Sequence, residues 1–127
     1  MDLRFDPSQG LIIIPTRISG PHGNTVVHLA LDTGATGSLV GWDILTLLGY
    51  DPAAVPERIQ MTTGSSLEFV PQVTVEKIEA LGIERLSFPV ICHNLPPSAT
   101  VAGVLGLDFL REQKLVIDLR SGILSID

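Results

Sequence analysis

Apolar and β-branched residues fall in short runs along this chain, separated by polar stretches rich in Gly and Pro. Gly10–Ile18 and Thr25–Leu31 flank Ser19-Gly20-Pro21-His22-Gly23-Asn24, which supplies the positive-φ positions of a turn, so this pair predicts a hairpin. Ile59–Thr62 and Leu67–Val70 bracket Thr63-Gly64-Ser65-Ser66 and predict a second, polar-tipped hairpin that continues through Val73–Ile78. Further short strands are expected at Ser38–Val40, Leu86–Cys92, Val101–Gly106, Leu115–Leu119 and Ile123–Ile126. Helical spacing is confined to Gly41–Gly49, with a glycine just past the helix end, and to Leu107–Gln113, room for one or two turns. Asn94–Thr100, with Pro96-Pro97, reads as a loop. Short strands at close spacing with one or two short helices form the pattern of an all-β fold, a small closed β-barrel.

No shift in composition and no Gly/Ser linker divides the 127 residues, so one domain spanning 1–127 is expected. A chain of this length buries roughly two-thirds of its unfolded surface, enough for a core without disulfide or metal staples. One faint internal echo is present. An apolar strand ends at Asp32-Thr33-Gly34 before a helix, and another ends at Leu105-Gly106 before a helix, as two related halves would leave them.

Charge narrows the possible partners. Against 14 acidic side chains stand 8 basic ones, for a net charge of −6, with no basic run and only 5% aromatic residues. Neither phosphate neutralisation nor base stacking is supported by that balance, so nucleic acid and anionic membrane are not expected as partners. The apolar runs Leu11–Ile14 and Val101–Leu107 fall far short of the ~20 residues of a spanning helix. Met1–Asp6 alternates charged and apolar residues, unlike a signal peptide, and the single Cys92 allows no intramolecular disulfide, so a cytoplasmic location is expected. Met1–Gln9 is longer and more polar than a simple edge strand.

Several reactive side chains have plainer readings. His22, His28 and His93 lack the spacing of a zinc site, and no metal or other cofactor is expected. Cys92 and His93, neighbours on a strand, face opposite ways and cannot form a thiolate–imidazole pair, which makes Cys92 a core filler. Asp43, Asp108 and Asp118 are read as capping or surface acids, and Trp42 as a packing residue.

Asp32 stands apart because it ends an apolar strand and precedes a glycine. An Asp-Thr-Gly triplet arises by chance in only about 3% of chains this long, whereas two aliphatics and a Gly, as in Val104-Leu105-Gly106, arise about once per chain. One reading of Asp32 is an Asx turn between strands. The other is chemical: two carboxylates facing one another across such turns share a proton, one acting as base toward water and the other as acid toward a carbonyl oxygen. A phosphate-binding hairpin of the actin and sugar-kinase kind needs two large domains, which this length does not supply.

Asp32-Thr33-Gly34-Ala35, a Gly-containing hairpin around Gly64, and Val104-Leu105-Gly106-Leu107-Asp108-Phe109-Leu110 before a final β pair resemble, in that order, the retropepsin-like aspartic proteases. The likeness covers roughly Leu11 to Asp127. Gly106–Leu110 followed by Val116-Ile117-Asp118 is similar to the retroviral-protease-like domain of DNA-damage-inducible ubiquitin-shuttle proteins and to small bacterial relatives. The resemblance implies that Asp32 is the catalytic acid, supported by Thr33, Gly34 and Ala35. It makes Met61, Thr62, Thr63, Gly64, Ser65 and Ser66 a flap, and Val104, Leu105 and Gly106 the lining of a subsite. In that family one chain supplies one aspartate, so a single Asp-Thr-Gly implies a homodimer in which Thr33 reaches across to its counterpart. Thr36, Gly37 and Leu107 replace the acidic residues and the Arg of the viral enzymes, so the viral intersubunit salt bridges do not carry over with the motif. The implied activity is an aspartic endopeptidase acting on peptides or unfolded proteins. The alternative is a catalytically silent dimerisation or peptide-binding module of the same fold.

Overall fold

The computed structural model of the chain describes residues 1–63 and 65–127, Thr63 by its backbone alone. Among them the elements run β1 (Asp2–Arg4), β2 (Ile13–Gly20), β3 (Gly23–Leu31), β4 (Leu39–Val40), α1 (Trp42–Leu47), β5 (Arg58–Thr63) and β6 (Ser66–Ala80). There follow β7 (Ile83–Cys92), β8 (Gly103–Leu105), α2 (Leu107–Leu110), β9 (Leu115–Asp118) and β10 (Ile123–Ile126). The fold is mostly β with two short helices, as the run pattern predicts.

Six strands close a barrel in the order β2-β3-β8-β4-β7-β6, because β6 returns to pair with β2 at Arg17↔Glu79, Ile18↔Ile78 and Ser19↔Lys77. Each strand of the ring has a neighbour on both sides, although β3 meets β8 only at Leu29–Leu31 and β7 meets β4 only at Ile91 and Cys92, and β5 adds to the protruding half of β6. Alternation fills the interior: Ile14, Thr16 and Ile18 of β2, and Val27 and Leu29 of β3, are buried while Pro15, Arg17, Val26 and His28 between and beside them are exposed. Thr16 is tolerated there because its hydroxyl donates to the Ile14 carbonyl at 3.0 Å.

Two tight hairpins set the registers. The β2–β3 link narrows to Pro21-His22, with Gly20 opposite Gly23 and Gly23 at φ 121°. Between β6 and β7, Leu81 (φ 56°) and Gly82 (φ 75°) both take the left-handed conformation that a two-residue turn between twisted strands demands. This second hairpin extends both strands beyond the expected Ile78 and Leu86. Its outer face carries Lys77, Glu79 and Glu84, with the Lys77 ammonium 3.5 Å and 4.0 Å from the two carboxylates. Those charges hide a strand whose inner positions, Ile78 and Ala80, are still buried.

The chain ends form a separate sheet, β1-β10-β9, seated on the core through Leu124 and Ile126. Of the polar first nine residues only Asp2–Arg4 become strand, and Asp6 then turns the chain by accepting from the Ser8 amide and hydroxyl at 2.9 and 2.6 Å. Asp118 closes the β9–β10 turn, accepting from the amides of Arg120 and Ser121 at 3.0 and 3.1 Å.

Strand β8 lies between β3 and β4, parallel to the first and antiparallel to the second. Gly103 permits this, since a Cβ there would sit 1.9 Å from the Leu39 carbonyl oxygen and could not be relieved by a rotamer change. Gly103→Ala is therefore expected to cost about 3 kcal/mol or more of unfolding free energy. Gly10→Ala, where nothing lies within 4 Å of an added Cβ, should stay within about 0.5 kcal/mol of wild type. Urea titration of the two variants checks the contrast, and equal stabilities would refute this account of β8.

Candidate active site

The parallel pairing of β3 with β8 aligns Leu31 with Leu105 and so brings the two following turns side by side. Asp32 leaves β3 with its amide donating to the Leu105 carbonyl at 3.0 Å. The chain then curls on itself: the Gly34 amide donates to Asp32 Oδ1 at 2.8 Å, and the Ala35 amide donates to the Asp32 carbonyl at 3.2 Å. The Leu107 amide crosses back to the Ala35 carbonyl at 2.8 Å. An Asx turn is thus what holds the Asp32 carboxylate in place.

Asp32, Thr33 and Gly34 are exposed and Ala35 is half-buried. The barrel forms a firm floor under Asp32 and leaves its carboxylate open to whatever approaches. A groove of about 410 Å³, lined in part by Gly41, Asp43, Ile44, Asn94 and Ala102, does not include Asp32. Among the described residues no group of three or more His, Cys, Asp and Glu side chains is placed to hold a metal ion.

The expected subsite residues divide. Val104 is half-buried and pairs with Ala30 and Leu39. Leu105 is fully buried, so its side chain belongs to the core and its contribution near Asp32 is the carbonyl. Gly106 has no room for a Cβ, which would stand 2.9 Å from the Ala35 and Gly37 carbonyl oxygens. Of the expected flap, Met61 is half-buried, Thr62, Ser65 and Ser66 are exposed, and Thr63 pairs with Ser66 through the backbone; Gly64 lies outside the described residues.

Asp108 is neither a surface acid nor a helix cap, because Gly106 holds the N-cap of α2. Its Oδ1 accepts from the Ser38 hydroxyl at 2.7 Å and its Oδ2 from the Ser38 amide at 3.0 Å. Ser38 is fully buried, and its hydroxyl also accepts from the Gly106 amide at 3.0 Å. Sequence reasoning missed this pair because the partners lie 70 positions apart and neither belongs to a local pattern. Asp43 lies in the first turn of α1 without capping it, and Trp42 packs against the core.

A sequence model described as aspartyl protease matches residues 14–109 of this chain. A retropepsin-like aspartic protease from Rickettsia conorii has a similar structure, at TM-score 0.73 and 17% sequence identity over 98% of this chain and 86% of that one. No curated protein sequence matches.

Cys92 is fully buried in the barrel core, and burial pushes its thiol up to about 11, against a smaller opposing pull from the Arg58 charge. At pH 8 about one molecule in a thousand would carry the thiolate, even before access is considered. Native protein should accordingly resist iodoacetamide at pH 8 and react fully in denaturant, as intact-mass spectrometry can follow. Rapid native alkylation would make Cys92 a reactive thiol after all.

Proposed function

The chain belongs to the aspartyl protease family and has the retropepsin fold, and from that premise we propose that residues 1–127 form one peptidase domain that works as a homodimer, pairing Asp32 with Asp32 of a second copy. The observation that carries the reading is the placement of the Asp-Thr-Gly turn. Its carboxylate accepts from the Gly34 amide at 2.8 Å and its backbone amide is braced by β8, yet the residue is exposed on a single chain. That is half of a two-carboxylate site, and a two-fold axis through the turn supplies the other half.

Chemistry follows from the pairing. Two carboxylates this close do not both ionise easily, so the competent pair holds one proton. The ionised member takes a proton from a water as its oxygen attacks the peptide carbonyl carbon. The protonated member donates to the carbonyl oxygen, giving a tetrahedral diol. Proton return to the amide nitrogen then breaks the C–N bond, with no covalent enzyme intermediate. Thr33 steadies the turn across the axis, Gly34 lets the substrate backbone come close, and Val104 lines a subsite. The hairpin arms formed by β5 and β6 close over an extended peptide, which pairs as an added strand. Substrates are peptides or unfolded proteins, and the reaction calls for no cofactor. The half-buried aliphatic Val104 favours apolar side chains near the scissile bond.

The deciding experiment digests an unfolded protein with wild type and Asp32→Asn across pH, reading cleavage sites by mass spectrometry. Wild type should cut along a bell on the acid side of neutrality, with Asp32→Asn down at least about 10³-fold. Ala35 cannot donate a hydrogen bond to the carboxylate as a Ser would, so the optimum belongs nearer pH ~5 than the strongly acidic range of pepsin. Ala35→Ser should move the bell to lower pH. A rate still climbing above pH 8, or an active Asp32→Asn, would leave the silent binding module as the better reading.

Half a site has no acid–base pair, so activity should fall more steeply than linearly once the protein is diluted below the dimer dissociation constant. Sedimentation and rate measured over the same dilution series test this. Strict proportionality would argue for an active single chain.

A further inference from the structure

The turn carrying Asp32 spans residues 32–38, and its two ends are held by different means. Its start is fixed by the Asp32 amide on the Leu105 carbonyl, and its middle by the Leu107 amide on the Ala35 carbonyl. Its far end, Ser38, enters the two-residue strand β4, where its carbonyl accepts from the Ile91 amide of β7 at 2.9 Å and its side chain and amide turn toward α2. There the fully buried Ser38 hydroxyl donates to Asp108 Oδ1 at 2.7 Å and accepts from the Gly106 amide at 3.0 Å. The Ser38 amide donates to Asp108 Oδ2 at 3.0 Å, and the Phe109 amide donates to Oδ1 at 2.9 Å.

One carboxylate therefore gathers three donors. An amide in its place offers a single acceptor oxygen and turns an NH₂ toward a donor, so the charge and both oxygens are needed. Asp108 is itself anchored, since the four-residue α2 is gripped from its other end by Arg85. The Arg85 guanidinium donates to the Phe109 carbonyl at 3.2 and 2.9 Å and to the Arg111 carbonyl at 2.8 Å, and lies 5.8 Å from the Phe109 ring centre. The connection runs from β7 through α2 to the end of the Asp32 turn.

Resting on the peptidase reading above, we propose that Asp108 and Ser38 are positioning residues: their hydrogen-bonded clamp fixes the end of the Asp32 turn against Gly106 and thereby holds the carboxylate in the geometry that proton sharing requires. Neither touches substrate. Their effect is on where Asp32 stands, and catalytic groups must be held within roughly 0.5 Å.

The test compares wild type, Ser38→Ala, Ser38→Thr and Asp108→Asn, scoring kcat and KM per folded dimer as measured by sedimentation. Native-state hydrogen exchange at the Gly34 amide is read against the Leu29 amide in the barrel. Ser38→Ala and Asp108→Asn should lower kcat about 10- to 100-fold with KM within about 2-fold, and Ser38→Thr, which restores the hydroxyl, should recover most of the loss. Gly34 exchange should quicken at least about tenfold more than Leu29 exchange. Should a serine variant fail to fold, the isosteric Asp108→Asn reads the same clamp from its other side. An unchanged kcat per folded dimer, or Gly34 and Leu29 quickening together, overturns the proposal. If wild type cleaves no peptide, the peptidase reading falls on that result alone, and the exchange comparison still decides whether the clamp holds the turn.

Discussion

The insertion of β8 between β3 and β4 is the constraint on which the rest of the structure depends. It places three stretches of backbone, distant in sequence, at hydrogen-bonding distance. A side chain on Gly103 would meet the Leu39 carbonyl, and one on Gly106 would meet the carbonyls of Ala35 and Gly37. The barrel closes around this crossing. Because β3 and β8 run parallel and in register, their exits lie side by side, and Asp32 leaves the core braced by the neighbouring Leu105 carbonyl.

Rigidity and exposure are thus separated along a few residues. Leu29, Leu105 and Phe109 are completely buried, while Asp32, Thr33 and Gly34 face solvent. A carboxylate sunk among those apolar side chains would face a large desolvation penalty as a charge. Set on the rim with the Gly34 amide donating to it, it keeps its place without giving up access to water. The same logic explains Ser38, a buried polar residue whose hydroxyl has both a donor and an acceptor partner.

Most strands were legible because a half-buried strand alternates, and both hairpins that were anticipated contain turn residues of recognisable type. The Asp32 turn was legible for another reason: Asp-Thr-Gly is rare enough to stand out. What escaped has a physical explanation in each case. Ile83–Arg85 carries charge on its outer face, so its strand pattern is masked. Val101 and Ala102 look like strand by composition, yet the strand itself begins only at Gly103, although the Ala102 amide already donates to the His28 carbonyl. The contact between Ser38 and Asp108 is a product of tertiary structure alone, and no local periodicity encodes it. Gly106-Leu107-Asp108 stands out as a string through the family resemblance, but the string carries no sign that Asp108 pairs with Ser38.

The terminal sheet carries a consequence for the order of events during synthesis. Asp2 lies opposite Ser125, so β1 waits for nearly the whole chain before it has a partner, whereas all six barrel strands have been made once β8 is out. Contacts so distant in sequence close slowly and late. The segments that build the Asp32 turn, its cross-brace and α2 all lie between β2 and Leu110. The pairing of β1 with β10 closes a longer loop than any pairing within the barrel, so loop-closure entropy favours forming the crossing at β8 before the terminal sheet.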